Sequence, residues 1–222
     1  MIRSKIRSIG FSIMLIIIVA VVSIGIFVVY YLSQSMGGAN KFKNTVNEMV
    51  SLAKNFYGGS WYVVENSTGY MIHKGGGRYD IIVMNGTTIT IGENDDEYFF
   101  WKTFFTDTQS NVSPKVGIFV ALSNNNEGKI GLAGYYWNSV PNPAQEKYEQ
   151  ARRELTSGSY GASTGMRGNN IWGYSKIFGY GMYIEVGQNV FIMIVTEGIS
   201  ASSDQLQAFA SKVEGLLKSL AS

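Results

Sequence analysis

One stretch constrains this chain more than any other. No charged residue occurs between Arg7 and Lys41, and Ile9 to Leu32 reads IGFSIMLIIIVAVVSIGIFVVYYL, 24 mostly apolar residues. As a helix it would measure about 36 Å, enough to cross a bilayer with some tilt. Its apolar residues run all round rather than along one stripe, unlike a helix laid on a soluble core. The expected organisation is a basic tail (1–8), a transmembrane helix (9–32), a small-residue linker (33–40) and one domain (41–222). Arg3, Lys5 and Arg7 precede the run, and no basic residue follows it until Lys41. The excess of positive charge therefore places the N-terminus in the cytoplasm and the domain outside the cell membrane, with Tyr30 and Tyr31 at the outer interface. The run exceeds the usual length of a signal-peptide core, which favours an uncleaved anchor. Ser33 and Ser35 offer the alternative of cleavage before Met36.

The part beyond the run is long enough for one domain with its own core. Cysteine is absent, which excludes disulfides, thiolate metal sites and cysteine nucleophiles. The three basic residues of the tail account for the excess of positive charge. After residue 40, 15 Lys and Arg face 16 Asp and Glu, so the domain carries about −1 and shows no footprint for nucleic acid.

Phe42, Val46, Met49, Val50, Leu52, Ala53 and Phe56 recur at helical spacing, and Gly58 stops the pattern. From 60 to 92 the period changes to short β-rich runs, with Asn85-Gly86 as a hairpin signal. Residues 95–107, DDEYFFWKTFFTD, predict a short helix with Phe100, Trp101, Phe104 and Phe105 on one face. KVGIFVALS and KIGLAGYYWNSV predict a second hairpin. A helix is expected over 142–158, then a loop over 157–170 and two or three strands up to Gly198. The chain closes on an amphipathic helix with Leu206, Phe209, Val213, Leu216, Leu217 and Leu220 facing inward. The fold class predicted is α+β: the transmembrane helix, then a mainly antiparallel sheet covered by amphipathic helices.

The residues give little support for catalysis. His73 is the one histidine, lies in a predicted strand and lacks a serine elbow nearby. With no cysteine beside it, zinc is not expected. Ser51-Leu52-Ala53-Lys54 matches S-x-x-K, whose lysine reaches the serine one helical turn back, but neither S-D-N nor K-T-G follows. Gly75-Gly76-Gly77-Arg78 precedes a strand, so it reads as a turn rather than a phosphate loop. Glu93-Asn94-Asp95-Asp96-Glu97 lacks the spacing of a calcium loop. No cofactor or metal is expected. Sequons at Asn66, Asn85 and Asn111 are compatible with an outside location.

GLAGYYWNSV (131–140), the helix that follows, GYSKIFGYGMYIEVGQNVFIMIVTEG (173–198) and QLQAFASKVEGLLKSL (205–220) together resemble the PsbP-like α/β/α fold. That resemblance implies a sandwich with binding or assembly roles rather than catalysis, and carries no functional residue across. The cysteine-free composition, rich in Tyr, Ile, Asn and Gly, is similar to that of archaeal surface proteins. The function expected is a non-enzymatic, membrane-anchored domain that binds or assembles with another envelope component. Its lipid contact is through 9–32, and its candidate contacts are Phe100, Trp101, Phe104, Phe105, Trp137 and Trp172, beside tyrosines 135, 136 and 174. A pilin-like filament subunit and a small-ligand-binding or sensor domain are the alternatives. Ile9-Gly10 fits a pilin processing site poorly.

Overall fold

The structure is a computed structural model and describes residues 37–75, 78–92, 114–125, 127–137, 149, 153, 163–177 and 180–222. The chain divides into two compact units, Met1–Lys41 and Phe42–Ser222. The account below concerns the second.

Helix α1 (37–57) leads into β1 (Trp61–Val63), a single 3-10 turn (Glu65–Ser67), and the run β2 (Gly69–Gly75), β3 (Arg78–Val83) and β4 (Thr88–Ile91). Then come β5 (Val116–Asn124), β6 (Lys129–Tyr136), β7 (Ser163–Arg167), β8 (Asn170–Ile177), β9 (Tyr180–Val186) and β10 (Val190–Glu197). Helix α2 (Ser203–Ala221) ends the chain. All ten described strands join one sheet in the order β4-β3-β2-β5-β6-β10-β9-β8-β7, with β1 added to β5 beside β2. Every pairing is antiparallel.

This corrects the expected fold class. Strand makes up 47% of the described residues and the described helices are two, so the described fold is predominantly antiparallel β rather than a sheet matched by helices. No described helix is long and apolar enough to cross a membrane. The run 9–32, to which the transmembrane reading was assigned, lies outside the described residues, as does the helix expected over 95–107. Of the helix expected over 142–158, residues 149 and 153 are described, and both are helical. Residues 37–40, expected in the linker, are helical too.

The sheet has two unlike faces, because alternate side chains point to opposite sides. One face carries Val116, Ile118, Val120, Leu122, Ile130, Leu132, Ile192 and Ile194, all at most 3% exposed, and both helices pack there. Helix α2 starts with a reciprocal cap: Gln205 N donates to Ser202 Oγ (3.3 Å) and Ser202 N donates to Gln205 Oε1 (3.0 Å). It buries Leu206, Phe209, Ala210, Val213, Leu216 and Leu217. It lies close to β6 because Gly134 sits beneath it. A Cβ there would come within 2.6 Å of Val213 Cγ1 and 2.9 Å of Leu217 Cδ1. The helices meet through Phe56 and Phe209, ring centroids 6.1 Å apart, and through an ion pair of Lys212 with Glu48. Helix α1 ends where Gly58, at φ +68°, donates to Lys54 O (2.9 Å).

The Asn85-Gly86 turn follows its sequence signal. Gly86 has φ +91°, and Thr87 N donates to Asn85 Oδ1 (2.8 Å) between β3 and β4. Strand β7 lies where a loop was expected. Its sequence STGMR has neither an apolar stripe nor a β-branched run, so strand period is hardly visible in it. It is held instead by a tight turn at Gly168 (φ +60°) that pairs Arg167 with Asn170. Gly165 also leaves room for the Trp172 ring, whose Cζ2 a Cβ would meet at 2.7 Å.

Candidate functional site

Of the six expected contact residues, the two described, Trp137 and Trp172, lie on opposite faces of the sheet. Phe100, Trp101, Phe104 and Phe105 lie outside the described residues. Trp137 is 2% exposed and packs with Tyr135 (centroids 6.2 Å apart) in the cluster on the face opposite the helices. Trp172 is half-buried on the helix-covered face, stacked 6.0 Å from Tyr183 at 20°. Tyr174 lies on that face too, its hydroxyl donating to Ala201 O (2.7 Å). These aromatics are packing residues.

The sites weighed for chemistry are equally ordinary. Ser51 Oγ donates back to Asn47 O (3.1 Å) on α1. His73 stacks on Tyr79 with centroids 4.8 Å apart. Gly75, at φ +86°, leads from β2 into the turn to β3. Among the described residues no three His, Cys, Asp or Glu side chains group as metal ligands.

Two features emerge that the sequence did not announce. The first is a charged cluster beneath α2. Glu185 on β9 is fully buried. It accepts from Arg167 Nε (3.0 Å) and Nη2, from Asn170 Nδ2 (2.7 Å) and from Tyr183 Oη (2.6 Å). Arg167 Nη2 also reaches Glu214 Oε2 on α2 (2.6 Å), whose other oxygen accepts from Lys218 Nζ (2.7 Å). Burial alone would lower the Arg167 pKa, but its bonds and charge attraction to Glu185 and Glu214 outweigh that and raise it. Burial would lift the Glu214 carboxyl, but Lys218 and Arg167 hold it below its ordinary value. Burial, then the bond to Glu185, raises the Tyr183 phenol. Two carboxylates face two cations and the oxygens have donors. The cluster therefore ties α2 to the β7–β9 end of the sheet and offers no open valence for a substrate.

The second is the face away from the helices. Across β1, β5, β6, β10 and β9, paired residues form a row Tyr62, Ser123, Lys129, Glu197, Tyr180. The next row inward is Ala121, Gly131, Val195, Met182, and the next Phe119, Ala133, Met193, Ile184. An open trough of about 340 Å³ lies here, lined by Val64, Ala121, Ser123, Gly131, Tyr180 and Val195 among others. Tyr62 and Tyr180 are large apolar side chains left 50% and 43% exposed at its sides. Lys129 and Glu197 pair at 3.1 Å across its mouth. Gly131 is exposed, and a Cβ placed on it would meet nothing within 4 Å. The trough is thus a hollow floored by small residues on β5 and β6, beside larger ones on β9 and β10. Alternation along 129–136 hints at this, since Lys129, Gly131 and Ala133 share a face. The strand order that sets β6 beside β10 is not written locally.

No family model matches the chain, and neither a curated protein nor a solved structure matches it.

Proposed function

We propose that this chain is a non-enzymatic binding domain, tethered to the cell membrane and displayed outside it, which docks another envelope component at the open trough on the sheet face away from the helices. The observation that carries the reading is the trough: an apolar floor left open beside two half-exposed tyrosines, with a charged pair at its mouth. Apolar surface of this kind, rimmed by polar groups, marks an interaction site. The apolar run 9–32 and the basic residues before it support the tether and its direction. The self-satisfied state of the Arg167–Glu185–Glu214 cluster supports binding over catalysis. A trough of about 340 Å³ also falls within the range of small-ligand sites, which keeps a sensor as the second reading.

Because the chain has no cysteine, single thiols report on each face. Gly131→Cys is placed in the trough, and Ser211→Cys on the exposed side of α2 serves as control. With a membrane-impermeant maleimide on intact cells, Ser211→Cys labels and Gly131→Cys is protected. Both label equally once the protein is extracted and diluted. Equal labelling at both positions in cells would refute an occupied face, and no labelling at Ser211→Cys would refute the outward display.

A further inference from the structure

We infer that the occupant of the trough is a second copy of this chain, packed face to face about a two-fold axis that runs along the strands between β6 and β10. The inference rests on the binding reading above and names its partner. It follows from how the face is divided. On one side of the boundary between β6 and β10 stand the small side chains Ser123, Ala121, Gly131 and Ala133, with Lys129 in the first row and Phe119 in the third as the larger exceptions. On the other stand larger ones: Tyr180, Met182, Val195 and Met193.

A two-fold axis along that boundary turns the β9–β10 side of one copy onto the β5–β6 side of the other. The pairing register then dictates the contacts. Val195 of each copy meets Gly131 of the other, Met193 meets Ala133, Met182 meets Ala121 and Tyr180 meets Ser123. In these four a large side chain meets a small one, as two sheets about 10 Å apart require if their side chains are to interdigitate, while in the third row Phe119 meets Ile184, large against large. The charges obey the same operation. Lys129 and Glu197 sit one on each side of the axis and pair with each other within the chain at 3.1 Å. After rotation Lys129 faces Glu197 of the second copy and Glu197 faces its Lys129, so no like charges meet. A random partner would need an independently complementary surface, whereas this face is complementary to itself, the condition for an isologous dimer.

The footprint spans five strands and three rows, roughly 20 Å by 20 Å from strand and residue spacings. That is below the roughly 800 Å² per partner of a stable interface, so the pair is weak in free solution and relies on confinement to a membrane to raise its local concentration.

The test uses the full chain in detergent at high concentration, with sedimentation as readout. Lys129→Glu sets a carboxylate against Glu197 of the second copy, and Glu197→Lys sets an ammonium against its Lys129. Each variant alone loses association at least tenfold. Mixed one to one, they restore it, because every contact between a Lys129→Glu chain and a Glu197→Lys chain is again opposite in sign. Gly131→Leu, which has room in the single chain, keeps the fold and also loses association at least tenfold. Association of all three variants equal to that of the unaltered chain would overturn the inference, because the contact would lie elsewhere. An unaltered chain that stays monomeric would overturn it too. If Gly131→Cys is then still protected in cells, another molecule fills the trough and the binding reading stands. If it labels freely, both fall.

Discussion

At the scale of single residues, Glu185 is where the fold risks most. It is a fully buried carboxylate whose charge is tolerated because Arg167, Asn170 and Tyr183 all donate to it. Replacing it by Ala takes one of the two carboxylates from Arg167, which keeps Glu214, and leaves the Asn170 amide and Tyr183 hydroxyl without their acceptor. Breaking a buried pair in this way costs about 3–5 kcal/mol, so Glu185→Ala shows a matching loss in urea-unfolding free energy. Glu214 contributes a pH dependence. Its folded carboxyl titrates below the ordinary value of about 4.3. The stabilisation it brings is therefore present above that value and is lost as pH falls through the folded pKa. The thermal midpoint of the protein falls on acidification below about pH 4.3, and Glu214→Gln shows a smaller fall over the same range. An equal fall in both would remove Glu214 from the account. None of this was legible in the sequence. Glu185 and Glu214 lie 18 and 47 residues from Arg167, and no local pattern links the three.

At the scale of elements, α2 was the most legible part of the chain. Of the six residues expected to face inward at helical spacing, Leu206, Phe209, Val213, Leu216 and Leu217 are buried and Leu220 is half-buried. Its Ser202 and Gln205 form the reciprocal cap of a helix start. The two hairpins with turn residues at Asn85-Gly86 and at 124–128 were legible for the same reason, since their signals are local. Strand β7 was not, because its pairing with β8 comes from a tight turn and from the space Gly165 leaves over Trp172. The seat of α2 on the sheet depends on a residue that periodicity ignores. Gly134→Val drives a side chain into Val213 and Leu217. The overpacking costs about 1–3 kcal/mol and appears as a lower urea midpoint with an unchanged slope.

At the scale of the whole molecule, the alternation of strands was visible but their order was not. Short antiparallel strands read the same whether helices cover one face or two, so the balance of sheet to helix was overestimated toward helix. The order β5-β6-β10-β9 brings strands far apart in sequence together, and it alone sets the small residues Ala121, Gly131 and Ala133 beside Val195, Met193 and Met182. Trp137 and Trp172, conspicuous in the sequence, lie on opposite faces, Trp137 buried and Trp172 half-buried against the core. The open surface fell to Tyr62, Tyr180 and a glycine that carries no sequence signal. The most direct test of that surface is a cross-link between copies. Ser123→Cys chains are mixed with Tyr180→Cys chains in membranes and treated with a bis-maleimide spanning about 10 Å, the separation of two packed sheets. The account predicts a prominent adduct joining one chain of each kind and little adduct in either chain alone, because like positions lie about three strand spacings apart across the axis. Equal adducts in the mixture and in the separate samples, or none in any of them, would contradict it.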